Sequence, residues 1–425
     1  MKYLFLLLAA TLAACGADEA ETILSGERID LAPDTRTLAP DPGADLQALQ
    51  LPQPVVNQHW PQAGLLVSHA PQHLALPTQV LPAWDTDIGT FDRYVLNTPV
   101  KYAGLLYTVD EDHWVSAVDA ENGEIIWQEQ LPVREEEDGF AGGVAVDKGA
   151  VFVTTRSGEV FALKRESGEL AWKHTVGAAM RAAPVTANGF VFVTTLDNRT
   201  YALRREDGSL QWTHSGIADA LALVNSATPA LSNGVLLVPY NNGDLYALQA
   251  LDGQYLWHVS LTRGMGSSRQ AALSSPVIKD GVAYVAVASK ELVALDLRTG
   301  QRLWTVPAAT SQMPWVAGNV LFVLTDNGQL AAVNRADGGI RWVKNLNELI
   351  EDDDNPARYW SGPILAGKRL LLGSSDGYAM SINPGDGRKI LATELLAGEG
   401  LSVPPIVADE ALYFLTDSGR VYKFE

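Results

Sequence analysis

The sequence predicts an all-β fold: an eight-bladed β-propeller of four-stranded antiparallel blades, closed by an N-terminal strand that completes the C-terminal blade. Three observations carry this. One phrase recurs along most of the chain, strand-like segments with turn signals separate its copies, and the strand that the last copy lacks has a match near the start. Composition agrees. Of 425 residues, 47% are hydrophobic, enough for a large core, and only 19% are charged, while Gly and Pro number 37 and 22. Many short strands joined by tight turns fit that mix better than long surface helices.

The phrase reads small-apolar pair, polar residues, Gly, three residues, Trp. Ala117-Val118 leads through Gly123 to Trp127, and Ala162-Leu163 through Gly168 to Trp172. Further copies end at Trp212, Trp257, Trp304 and Trp342, each with its Gly at 208, 253, 300 and 338. A weaker copy, Ser381-Ile382 and Gly387, has Leu391 where Trp would fall. The period of about 40–50 residues is that of propeller blades. Between copies lie strand-like runs such as Phe190–Thr194 and Val235–Pro239, each after a turn signal, Asn188-Gly189 or Asn233-Gly234. Each repeat therefore holds four strands, A to D. The Gly supplies positive φ at the C–D turn, and the Trp sits in outer strand D. A large ring at one place in every blade fills the gap between neighbouring blades, so these tryptophans read as structure and not as ligand contacts.

The last copy supplies strands A, B and C in 401–407, 411–416 and 420–424. The missing strand D should be a short apolar run ending in Trp, and Val80-Leu-Pro-Ala-Trp84 is such a run, one repeat length before Trp127. Seven copies with their own strand D and one split copy make eight blades. Joining the two ends leaves no free sheet edge between blades.

At the N-terminus, Lys2 precedes an apolar run, Tyr3 to Ala10, too short to span a bilayer. Leu12-Ala13-Ala14-Cys15 follows, with small residues before a cleavage site. Residues 1–14 read as a signal peptide. The ending resembles the bacterial lipobox, whose cysteine is acylated, and Cys15 is the only cysteine of the chain. Acyl chains contribute about 0.8 kcal/mol per buried CH₂, so several together anchor stably. Gly16 is compatible with export to the outer membrane. Residues 15–58, rich in Asp, Glu, Pro and Ala, read as a lipidated, flexible acidic tether, and 59–425 as the propeller.

In such a ring the D–A and B–C connections share one face. The C–D turns are short and uniform, whereas the D–A connectors vary, and length beyond closure need marks function. After Trp212 comes Ile217-Ala-Asp-Ala-Leu221-Ala-Leu223-Val224, apolar for a loop: it is either extra core or an exposed contact for a partner. After Trp257 comes Arg263-Gly-Met-Gly-Ser-Ser-Arg269, basic in an acidic protein. Two acidic runs, Glu135–Asp138 and Glu351–Asp354, lie on the same face. Calcium loops alternate ligands with spacers, whereas these residues are consecutive, so the runs read as solvated loops or as steering for a basic partner.

The repeats resemble the pyrroloquinoline-quinone-type propeller family, and within it the BamB family of alphaproteobacterial type, over about residues 59–425. The more specific marks are His59-Trp-Pro-Gln-Ala-Gly64, the run from Val293 to Trp304, and Pro314-Trp-Val-Ala-Gly-Asn319 leading into Val320–Leu324. The resemblance implies a lipid-anchored outer-membrane scaffold facing the periplasm. It would bind the POTRA domains of a BamA-type β-barrel insertase, alongside other subunits of the assembly complex, and assist insertion of outer-membrane proteins. The family's apolar-plus-Arg docking loop corresponds to Leu221–Val224, where Val224 replaces the Arg. A second, acidic loop corresponds to about Ala271–Leu273, where the acidic residues are absent.

The net charge of −19, without a basic stretch, excludes nucleic acid and adhesion to anionic lipid by surface charge. No catalytic residue, metal site, cofactor or small-molecule substrate is expected. The seven histidines show no metal spacing, and there is no nucleophile elbow or phosphate loop. Two alternatives stay open. One is a quinone-dependent dehydrogenase, for which Trp315 and Trp360, outside the repeat position, would be the stacking floor. The other is a lipoprotein that binds peptidoglycan or another periplasmic partner.

Overall fold

The computed structural model describes residues 37–42, 48–89, 98–133, 142–217, 226–262, 272–288, 290–350, 358–394 and 399–425. The described strands form eight four-stranded antiparallel sheets. In seven of them the strand order is the chain order. Blade 1 is β2 (Val100–Tyr102), β3 (Leu105–Val109), β4 (Trp114–Asp119) and β5 (Ile125–Gln130). Blades 2 to 7 repeat the pattern up to β29 (Lys389–Glu394).

The burial of each strand follows from its place in the blade. Strands B and C are packed by neighbouring blades on both faces, so β8 (Glu159–Lys164) and β11 (Phe190–Thr194) are buried almost throughout. Strand D alternates, because only one side meets a neighbour. In β13 (Leu210–Ser215) it is Trp212 that is buried.

The recurring phrase has a joint explanation. In β12 (Arg199–Arg204), Ala202 lies directly opposite Trp212, and the register slips by one residue between Ala202 and Leu203. A small residue opposite the indole leaves it room, and the bulge turns the outer strand. The indole then reaches the next blade. Trp172 donates from Nε1 to the Arg205 carbonyl at 2.9 Å. It packs on Gly208, where a Cβ would come within 2.5 Å of the ring. The same donation joins Trp84 to Ala120, Trp127 to Arg165, Trp212 to Ala250, Trp257 to Leu297, Trp304 to Arg335 and Trp342 to Pro384. The repeat glycine is thus required twice, for its positive φ and for the seat it offers to the preceding blade's tryptophan.

The eighth sheet is split as expected. Strands β30 (Ile406–Ala408), β31 (Ala411–Leu415) and β32 (Arg420–Phe424) are completed by β1 (Pro82–Asp87), from the start of the described chain. The strand begins slightly later than Val80 and runs past Trp84. Trp84 is its third residue, as in every other strand D that carries the repeat tryptophan. Trp84 pairs with Lys423, and Leu81 and Glu425 exchange backbone hydrogen bonds of 2.8 and 3.0 Å. The strand also grips blade 1, since Thr86 Oγ1 donates to the Gly123 carbonyl at 2.6 Å. Eight sheets are therefore latched by one strand that belongs to blade 8 and docks on blade 1.

Leu391 has a physical reason. An indole at this position would have to seat on the C–D turn of blade 8, but strands C and D of that blade, β32 and β1, are the last and the first strands of the chain, and no glycine turn joins them. Leu391 is accordingly 58% exposed. Leu391→Trp is expected to change stability by less than about 0.5 kcal/mol in a thermal melt, as for a surface change that makes no contact. A clear rise in Tm would show that a seat exists there.

Candidate functional site

The segment ahead of β1 is not loose up to residue 58. From residue 48 onward it lies against the ring, with Gln50 N donating to Asn319 Oδ1 and Asn57 Nδ2 to the Val407 carbonyl. Residues 57–74 then pass the innermost strand of each blade in turn. Asn57 meets blade 8 and Trp60 exchanges two backbone hydrogen bonds with Lys101 of blade 1. Pro61 and Gln62 accept from Val146 and Thr186 of blades 2 and 3. Val67 and Ser68 accept from Leu231 and Ile278 of blades 4 and 5. Gln72 accepts from the Trp315 indole of blade 6, and Leu74 pairs alongside Ala366 of blade 7. This belt meets strand A toward its A–B turn, and so closes the axis at the face of the A–B and C–D turns. Lys101, 1% exposed, pins it further by contacting Asp409 and the Gln58 carbonyl.

Between the belt and the opposite face lies a cavity of about 410 Å³. Trp60, Ala63 and Gly64 of the belt line it on one side. The rest of its wall comes from residues at or just before the start of strand A: Thr98, Ser226–Thr228, Ala272, Ser275, Ser311–Met313, Trp315, Gly362–Ile364 and Ser402–Pro404. The described lining holds hydroxyls, one amide and apolar groups, and no charged side chain. The cavity is thus bordered by the ends of the D–A connectors. Two of these are tied together where they enter adjacent blades, since Thr228 N donates to Ser275 Oγ at 3.0 Å.

Among known proteins, the profile of the family described as "Outer membrane protein assembly factor BamB" matches residues 111–344. A relative of that name from Salmonella typhimurium is 30% identical, over 81% of this chain and 88% of its own length. The chain belongs to the BamB family. Two solved structures share the fold. BamB from Moraxella catarrhalis superposes with a TM-score of 0.70 at 20% identity, over 82% of this chain and all of that one. A europium-containing methanol dehydrogenase superposes at 0.69 and 14% identity, over 84% of this chain and 89% of that one.

The quinone of the wider propeller family does not fit the described axial residues. That group needs a stacking floor and carboxylate ligands for its metal, and the described lining contains no carboxylate. Trp315 and Trp360 do not form a floor together. Trp315 borders the cavity with its indole nitrogen bound to the Gln72 carbonyl, whereas Trp360 donates to Asn347 Oδ1 at 2.8 Å and is absent from the wall. Both are buried. No cluster of three or more metal-ligating side chains occurs among the described residues.

Cys15, Leu221, Leu223, Val224, Arg263 and Arg269 lie outside the described residues, as do the acidic runs 135–138 and 351–354. What the structure describes is the root of the connector that holds Leu221. Asn198, buried with φ +61°, donates to the Ile217 carbonyl at 2.9 Å, and Asn242 donates to the same oxygen at 3.2 Å. Ile217 itself is 63% exposed. This amide clamp between two B–C turns escaped sequence reasoning, because its two asparagines hold different turn positions: Asn198 stands where the next repeat has Gly243, and Asn242 where the previous one has Asp197. At the second position that the family resemblance marks, Leu273 is fully buried and bridges Val287, so it belongs to the core and not to a contact surface.

Proposed function

We propose that this chain is a non-enzymatic scaffold of outer-membrane protein assembly. It is anchored in the outer membrane through acylated Cys15 and faces the periplasm. It binds the POTRA domains of a BamA-type insertase, next to the other subunits of that machinery. The observation that carries this reading is family membership over most of the chain, joined to a rim of D–A connectors whose lengths vary around an invariant ring. Leu221, Leu223 and Val224 are the apolar contact, and Arg263 and Arg269 the basic contact from the next connector. The clamp at Ile217 and the Thr228–Ser275 link support this pairing of neighbouring connectors. The uncharged described lining of the axis supports a scaffold over a quinone-dependent catalyst.

The test is recovery of a BamA-type barrel with the tagged protein from detergent-solubilised envelope. The pair Leu221→Asp and Leu223→Asp is expected to cut recovery about tenfold, the equivalent of ~1.4 kcal/mol, with an unchanged melting temperature. Unchanged recovery would remove this connector from the docking surface.

A further inference from the structure

The belt carries three histidines. His59 stacks on Tyr102 of blade 1 and accepts from the Ala103 N–H at the pinned end, whereas His69 and His73 each occupy a place built for a neutral ring. His69 Nδ1 lies 2.7 Å from the Pro276 carbonyl, just before β18 (Val277–Lys279). A carbonyl only accepts, so the ring's proton sits on Nδ1. Nε2 is then bare, and it is buried with no hydrogen-bond partner. Gly64, which packs against the ring, and the Pro276 carbonyl carry no charge. A second proton would be stranded there without an acceptor.

His73 is held at both nitrogens. Nδ1 donates to the Pro52 carbonyl at 2.7 Å, and Nε2 accepts from the backbone N–H of Lys368 at 3.0 Å. Protonation would set a donor against a donor. It would also add charge beside the Lys368 ammonium, in a turn whose next residue, Arg369, holds the Pro77 and Thr78 carbonyls. Burial pushes His69 down to about 4 and holds His73 below the ordinary histidine range, with Lys368 adding to the second effect. Both values lie below that of a free imidazole. The grip of the belt is therefore complete above about pH 6.5 and is lost as pH falls through the depressed values.

We propose that the belt is an acid-released plug: protonation of His69 and His73 detaches residues 62–75 from blades 3 to 7 while the ring stays closed, so that the axial cavity loses the Ala63–Gly64 side of its wall and opens toward both faces. The other end of the belt stays pinned through Trp60 and Lys101. The ring has its own latch in β1, which holds no histidine.

Hydrogen exchange on the full-length protein in detergent, corrected for the intrinsic effect of pH, tests this. Between pH 7 and pH 4, protection of peptides covering 62–75 should fall at least about tenfold. Strands β19 (Val282–Ala286) and β23 (Val320–Leu324) should keep theirs. The variant His69→Gln with His73→Gln should show belt protection independent of pH, whatever its level. A belt that keeps its protection at pH 4, that loses it only together with β19 and β23, or that responds to pH equally in the variant overturns the proposal. If the variant fails to fold, the wild-type comparison alone decides.

Discussion

Deleting Thr416–Glu425 is expected to abolish cooperative folding of the whole ring. The deletion removes β32, the only strand that joins β31 to β1. Val421 and Phe424 leave the core, and Phe414 and Tyr413 lose their cover. Strand β1 is left without a sheet, so Trp84 and Thr86 no longer bind blade 8 to the Ala120 and Gly123 carbonyls of blade 1. Each large apolar side chain returned to water costs about 1.5–3 kcal/mol. Several such losses together reach the entire net stability of a typical domain, about 5–15 kcal/mol. Circular dichroism of the truncated chain should show no sharp thermal transition. A truncated protein that melts at the full-length temperature would show that the ends do not latch the ring.

The second large effect is at the blade seams. Gly208→Ala is expected to destabilise the protein by about 3 kcal/mol, from about 1–2 kcal/mol of left-handed backbone strain and a similar amount of overpacking. Gly208 has φ +69°, and a Cβ would sit 2.5 Å from Cε3 of Trp172, with the indole fixed by its bond to Arg205. Gly189 is the control. It has φ +82° in an A–B turn, but a Cβ there meets nothing within 4 Å. Gly189→Ala should cost only the strain, about 1–2 kcal/mol. Urea denaturation separates the two, because the midpoint shifts with stability at constant slope. Equal losses at both sites would mean that the indole does not depend on the glycine seat.

The repeats, their strand content and the closing strand were legible because each is encoded locally. A Gly and a Trp at fixed spacing, small-apolar pairs and Asn-Gly turns recur in sequence as they do in space. The belt was not legible. Residues 48–74 are rich in Pro, Gln and His without a period, so they read as tether and then as a preface to the ring. Their order comes from backbone and side-chain hydrogen bonds to the inner strands of all eight blades, which no local propensity announces. The axial cavity was hidden for a similar reason, since its wall takes a few small residues from each of several blades. Leu391 was visible as a departure, but its cause depends on which blade lacks a C–D turn. The connectors stood out by length and composition, and the Asn198 clamp that roots one of them appeared only in three dimensions.

Disulfide trapping tests the central claim most directly. Asp85 of β1 lies opposite Tyr422 of β32, so Asp85→Cys with Tyr422→Cys should form a cross-link on mild oxidation. After cleavage of a surface loop between the two sites, the fragments should stay joined until reduced. The slipped pair, Thr86→Cys with Tyr422→Cys, points its side chains to opposite faces of the sheet and should link poorly. Absence of the first link, or equal yield from the second, would contradict a ring closed by Pro82–Asp87 in this register.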